Sequence, residues 1–179
     1  MKAIPLFLFF SLSGFVYGSC GEKESAMPPT PPAAAGEVFR TPAYLQNPAA
    51  DAMTVMWITN VTCRSWVEVG TEPDRLQPVR CYDEGMMVAN RTINKIRLVD
   101  LRPGTKYYYR ACSQQILHYG SYKKEFGDTV RMPLASFTTW DERDQDYTVL
   151  VFNDVHKKTE LFGHLMSLVG NEPYDLVIF

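Results

Sequence analysis

The residues best suited to chemistry lie near the end of the chain, in Phe152-Asn153-Asp154-Val155-His156. An apolar run from Tyr147 to Phe152 stops abruptly and presents a carboxylate and an imidazole two residues apart. Side chains so placed, just past a strand end, can both reach one metal ion. Open α/β sheets collect such sites at the carboxyl ends of their strands. Two donors do not complete a metal site, so further ligands are expected from elsewhere. Taken out of context, Asp154 and His156 also suit a helix-capping carboxylate and a surface histidine, which strand-to-helix loops often hold.

The elements around the pair are those of an α/β unit. The unbroken apolar character of the run to Phe152 predicts a strand buried on both faces. Thr159 to Val169 has helical spacing, with Leu161, Leu165 and Leu168 on one face and Phe162, Met166 and Val169 beside them. Gly170-Asn171 and Pro173 stop that helix. Asp175 to Phe179 reads as a second buried strand. Strand, helix and strand make one βαβ unit over residues 146–179, which cannot cover both faces of its own sheet. The expectation is therefore an α/β domain that begins here and continues past Phe179.

Ahead of this unit the pattern is different. Met53 to Thr59 alternates about Trp57, and Ser65 to Val69 is a second strand closed by Gly70. Further strands are predicted at Val79–Tyr82, Thr92–Val99, Lys106–Cys112 and Leu134–Thr139, with Trp140 to Asp146 a charged connector. Six or seven short strands in about a hundred residues suggest an antiparallel sandwich over residues 37–140. In Leu101-Arg102-Pro103-Gly104-Thr105-Lys106-Tyr107-Tyr108-Tyr109-Arg110, the leucine, Pro-Gly-Thr turn and tyrosine match the fibronectin type III pattern. There Tyr107 is expected to tie a sheet corner back to the backbone. Tyr107, Tyr109 and Ala111 are expected inside, with Tyr108 and Arg110 outside.

The N-terminus reads as an export signal over residues 1–19: Lys2, an apolar stretch from Pro5 to Val16, and Val16-Tyr17-Gly18 as a cleavage site. Gly18-Ser19-Cys20 also resembles a bacterial lipoprotein signal, which makes Cys20 a possible lipidation site. Residues 20–36 are small and Pro-rich, a semi-extended tether. Localisation is then periplasmic, extracellular or lipid-anchored at a bacterial membrane, and disulfides are permitted. With Cys20 lipidated, Cys63, Cys81 and Cys112 remain, and their pairing is open. The 179 residues are 46% apolar and carry a net charge of −2 without any block of like charge. That argues against nucleic acid as a partner and against a membrane surface except through the Cys20 anchor.

In this order the elements resemble a calcineurin-like metallophosphoesterase carrying the N-terminal sandwich of purple acid phosphatases. Thr54-Val55-Met56-Trp57-Ile58-Thr59, Trp66-Val67-Glu68-Val69-Gly70, the Pro-Gly-Thr segment and Ser136-Phe137-Thr138-Thr139 carry the likeness, which leads into Asp154-Val155-His156. The resemblance implies two metal ions (Fe, Mn or Zn) about 3.5–4 Å apart, whose hydroxide attacks a small-molecule or protein phosphate ester in line. Asp154 and His156 take the role of first-motif metal ligands. The family's later ligand motifs are missing here. Gly127-Asp128 comes too early, Gly170-Asn171-Glu172 lacks the histidine, and Gly163-His164 is mid-helix. His118 is expected on a surface loop. His156 stands where the purple enzymes usually have glycine, which implies an enzyme without their tyrosinate-to-iron colour.

Residues 1–179 are thus expected to be the inactive front part of an exported acid phosphatase-like hydrolase. The alternative is an exported fibronectin type III-like binding module without catalytic activity, presenting Tyr108, Tyr119 and Tyr122.

Overall fold

A computed structural model describes residues 30–141, 143, 146–156 and 158–179. The expected export signal and Cys20 lie outside the described residues. A short helical turn, α1 (Ala35–Val38), and strand β1 (Tyr44–Gln46) lead into β2 (Met53–Gly70), which is 18 residues long. There follow β3 (Gln77–Val79), the small hairpin β4 (Tyr82–Asp83) and β5 (Met86–Met87), and β6 (Ala89–Leu98). The sandwich closes with β7 (Lys106–Tyr119), β8 (Lys124–Arg131) and β9 (Ala135–Thr138).

Strand β2 joins two groups of antiparallel strands. Its first half pairs with β1 and β6, from Met53 opposite Leu98 to Ile58 opposite Ile93. Its second half pairs with β3 and β7, from Cys63 opposite Gln115 to Gly70 opposite Tyr108. The register shifts between Ile58 and Cys63. The two strands read from the sequence are therefore one. No Gly or Pro breaks residues 59–64, and the polar Asn60 and Thr62 sit in a bulge. Gly70 is the last residue of the strand, and the position needs glycine because a Cβ there would lie 2.4 Å from the carbonyl oxygen of Arg75.

Alternation along these strands builds one core. Met53, Val55 and Trp57 from the first half of β2 meet Val67 and Val69 from the second. Ile96 and Leu98 of β6, Tyr107, Tyr109 and Ala111 of β7, and Phe137 of β9 complete it. Phe137 lies beside both tyrosine rings, at centroid distances of 5.7 Å and 5.6 Å. Tyr108 and Arg110 point away and are half-buried, the latter paired with Glu68 at 2.6 Å. The two strands β8 and β9 flank the same strand β7 in succession, with Met132 bridging them through its N–H to Ala111 O at 2.9 Å.

The last elements are β10 (Val149–Val151), α2 (Thr159–Val169) and β11 (Leu176–Ile178). Val149 pairs with Leu176, Leu150 with Val177 and Val151 with Ile178 in parallel, so this is a βαβ unit. Asp175 fixes the register from one end: its N–H donates to Thr148 O, and its carboxylate accepts from Thr148 N–H, each at 2.9 Å. Two sequence expectations change. The strands are not buried on both faces, since Val151 is 67% exposed and one helix covers one side. The packed face of α2 is Phe162, Leu165, Met166 and Val169, whereas Leu161 and Leu168 are exposed.

Candidate metal centre

Phe152 continues the β10 ladder by one bond, donating its N–H to Ile178 O at 2.9 Å. Its ring then packs edge-on against Phe162 of α2 (5.2 Å) and beside Phe179 (6.1 Å). This aromatic trio holds the carboxyl end of β10, the helix and the end of β11 together. Residues 153–156 follow Phe152 on the way to the helix.

In that crossing Asp154 and His156 both have left-handed backbones, with φ of 57° and 53°. Non-glycine residues rarely adopt this conformation, and Asp and His are among the few that tolerate it. Alternate left-handed residues curl the loop so that the two side chains meet. His156 Nε2 lies 2.9 Å from Asp154 Oδ1, and both groups are more than 70% exposed to solvent. The helix starts only at Thr159 behind Lys158, so Asp154 does not cap it. His164 is exposed on α2, and His118 is half-buried on β7 rather than in a loop, because that strand runs on to Tyr119.

A carboxylate and an imidazole side by side form an O,N donor pair of the kind that Mn, Fe and Zn accept. Their 2.9 Å approach places the two donors side by side. Among the described residues no group of three or more His, Cys, Asp or Glu side chains gathers around a common point. The pair therefore fits part of a metal site and not a whole one.

The connector into this unit is pinned to the sandwich. Thr139 Oγ1 donates to Arg102 O at 2.6 Å and accepts from Thr105 N–H at 3.0 Å, clamping the Pro-Gly-Thr turn. Gly104 within that turn has a φ of 57°, and a Cβ there would lie 2.7 Å from the Asp141 carboxylate. Asp141 in turn is bound by Arg143 through its guanidinium and backbone N–H, which holds the carboxyl down at about 2. Trp140 rests on Tyr147, with ring centroids 5.2 Å apart.

The sequence profile of the purple acid phosphatase N-terminal domain matches residues 41–139, more than half of the chain. The chain belongs to the purple acid phosphatase N-terminal domain family. Within that family's domain fall β1 to β9, the buried Trp57 and the Tyr107 corner. Among solved structures the chain is similar to the sixth fibronectin type III domain of human fibronectin type III domain containing protein 3. They share 17% identity over 59% of this chain and 88% of that domain, at a TM-score of 0.37. It is also similar to a purple acid phosphatase isolated from seeds of yellow lupin, Lupinus luteus, at 16% identity and a TM-score of 0.42. That alignment takes in 62% of this chain and 21% of the lupin enzyme. No curated protein matches the chain.

Sequence reading missed two polar sites that the fold builds. One is a buried chain of hydrogen bonds from Trp57 Nε1 to Ser113 Oγ (3.0 Å) and on to Ser65 Oγ (2.9 Å). The other is Glu68, which accepts from Arg110 Nε (2.6 Å) and Arg131 Nε (3.3 Å). Glu68 and Arg110 sit opposite each other in the β2–β7 register, a pairing that the sequence reveals only once the register is known.

Proposed function

We propose that this chain is the front part of an exported, metal-dependent phosphoesterase. In this reading residues 1–19 direct export to secretion or to a lipid anchor at Cys20, 20–36 form a tether, and 37–140 form the sandwich. Residues 146–179 then open the catalytic domain. The observation that carries the reading is the Asp154–His156 pair, held by two left-handed residues at the carboxyl end of β10, directly after a purple acid phosphatase N-terminal domain. Such strained loop residues concentrate at functional sites.

Asp154 would supply a carboxylate oxygen and His156 a ring nitrogen to a metal ion, giving up the contact between them. When bound, the metal ions supply a hydroxide at neutral pH and charge stabilisation for in-line displacement at a phosphate ester. Phe152, Phe162 and Phe179 pack together at the carboxyl end of β10, where the loop carrying both donors begins. Fe, Mn or Zn suits the donor set. Because His156 stands at the glycine position of the purple enzymes, the metal-loaded protein is proposed to lack an intense visible absorption band.

The test is hydrolysis of p-nitrophenyl phosphate with Mn²⁺ by the protein expressed to the natural end of its gene. The proposal expects turnover there, its loss in Asp154→Ala, and none from residues 1–179 alone. An inactive, metal-free full-length protein would sink it. The binding module would then lead, since Tyr119 and Tyr122 stand exposed at the β7–β8 turn.

A further inference from the structure

The side chain of Gln115 is buried in the sandwich, with only 3% of its surface exposed. Both ends of its amide are nevertheless used by a distant part of the chain. Gln115 Oε1 accepts the N–H of Ala33 at 2.7 Å, and Nε2 donates to the carbonyl of Pro31 at 2.9 Å. Two residues further along β7, the carbonyl of Leu117 accepts the N–H of Thr30 at 2.8 Å. Thr30, Pro31, Pro32 and Ala34 remain exposed, so polar bonds rather than apolar burial hold this segment. Val38, 2% exposed, plugs its other end into the core.

The chemistry selects an extended, proline-tolerant stretch. One acceptor and one donor on a single amide match a carbonyl at one residue and an N–H two residues later. Pro31 lacks an N–H and is asked for none. Two consecutive prolines also restrict the free chain, which lowers the entropy lost on docking. With the strap in place, the donor and the acceptor of this buried amide are both met.

We infer that Gln115 is a socket that clips Thr30–Ala34 onto β7 as a strap, fixing where the preceding chain leaves the sandwich. The strap lies at the Leu117 end of β7. The connector toward Asp154 leaves at the opposite end, where Lys106 pairs with Thr138. From Lys106 to Leu117 a strand covers roughly 36 Å at about 3.3 Å per residue. The sandwich is thereby a stand-off that holds the tether at one end and the βαβ unit at the other. This inference does not rest on the metal reading.

Hydrogen exchange of the full chain, followed by mass spectrometry on peptides covering Thr30–Gly36, tests it. The native protein should protect Thr30 and Ala33. Gln115→Ala should speed exchange there by about tenfold or more, the effect of losing bonds of ordinary strength. Peptides from β2 and β6 should keep their native exchange rates. Thr30→Pro deletes one strap donor, touches no core side chain, and should release Ala33 as well. Exchange of 30–36 at the rate of an unstructured peptide in the native protein would overturn the strap. So would native-like protection of Ala33 in both variants.

Discussion

The phenolic oxygen of Tyr107 accepts the backbone N–H of Arg102 at 2.9 Å, closing the turn between β6 and β7. The ring is 8% exposed and stacks on Phe137, so core packing and corner closure share one side chain. Tyr107→Phe keeps the ring and removes only the acceptor. Equilibrium denaturation should show a loss of about 1 kcal/mol with an unchanged denaturant slope, as expected for one hydrogen bond. A neutral outcome would mean that water replaces the phenol at this corner.

The corner was legible in the sequence because it is local. A leucine, a Pro-Gly-Thr turn and a tyrosine stand within seven residues, and the structure closes them on each other. Where partners are remote the sequence was silent. Gln115 and Ala33 are 82 positions apart, and nothing in either residue announces the other. Strand β8 has no clear sequence signal because Gly127-Asp128 breaks its pattern and its paired edge is supplied by β7. On α2 two apolar stripes offset by one residue compete at helical spacing. The aromatic contacts of Phe162 with Phe152 and Phe179 decide for the second. Asp154 and His156 were visible as a pair, but their left-handed backbones were not.

Ser113 stands between two buried polar groups. It accepts from Trp57 Nε1 and shares a hydrogen bond with Ser65, and its own exposure is 0%. Ser113→Ala removes little volume but strands the indole N–H and the Ser65 hydroxyl away from water. A loss of about 1–3 kcal/mol is expected, the cost of leaving buried polar groups unpaired. Trp57→Phe adds a cavity cost of its own. In the double variant the indole is already gone, so the combined loss should fall short of the sum. Strict additivity in a double-mutant cycle would show that the Trp57–Ser113 bond contributes nothing.

Glu68 makes stability depend on pH. Burial alone would push its carboxyl up, yet hydrogen bonds from Arg110, Trp66 and Arg131, together with the charge of Arg110, outweigh it and hold it below its ordinary value of 4.5. A carboxyl whose pKa is lower folded than unfolded binds fewer protons in the native state. Its contribution is complete above pH 4.5 and disappears as pH falls through the lower folded value. Glu68→Gln should therefore be less stable than the native protein at neutral pH. The gap between the two curves should narrow as pH falls below 4.5, which thermal melts across pH would reveal. A gap that stayed constant down to pH about 2 would exclude this carboxylate as the source.

The cysteines divide by burial. Cys63 and Cys112 are 1% and 0% exposed, whereas Cys81 is half-buried beyond β3. Burial pushes the Cys63 thiol up to about 11 despite its hydrogen bond within β2. Burial raises Cys112 to about 12, with the neighbouring Glu68 carboxylate adding to the effect. The thiolate is the reactive form, so both buried groups are doubly protected at neutral pH. Peptide mapping after brief iodoacetamide treatment of the native protein at pH 8 should find Cys81 labelled at least about a hundredfold faster than Cys63 or Cys112. Denaturant should equalise the three. Rapid native labelling of Cys112 would mean that the β7–β8 edge opens readily, since that strand pairing covers it: Cys112 lies opposite Arg131.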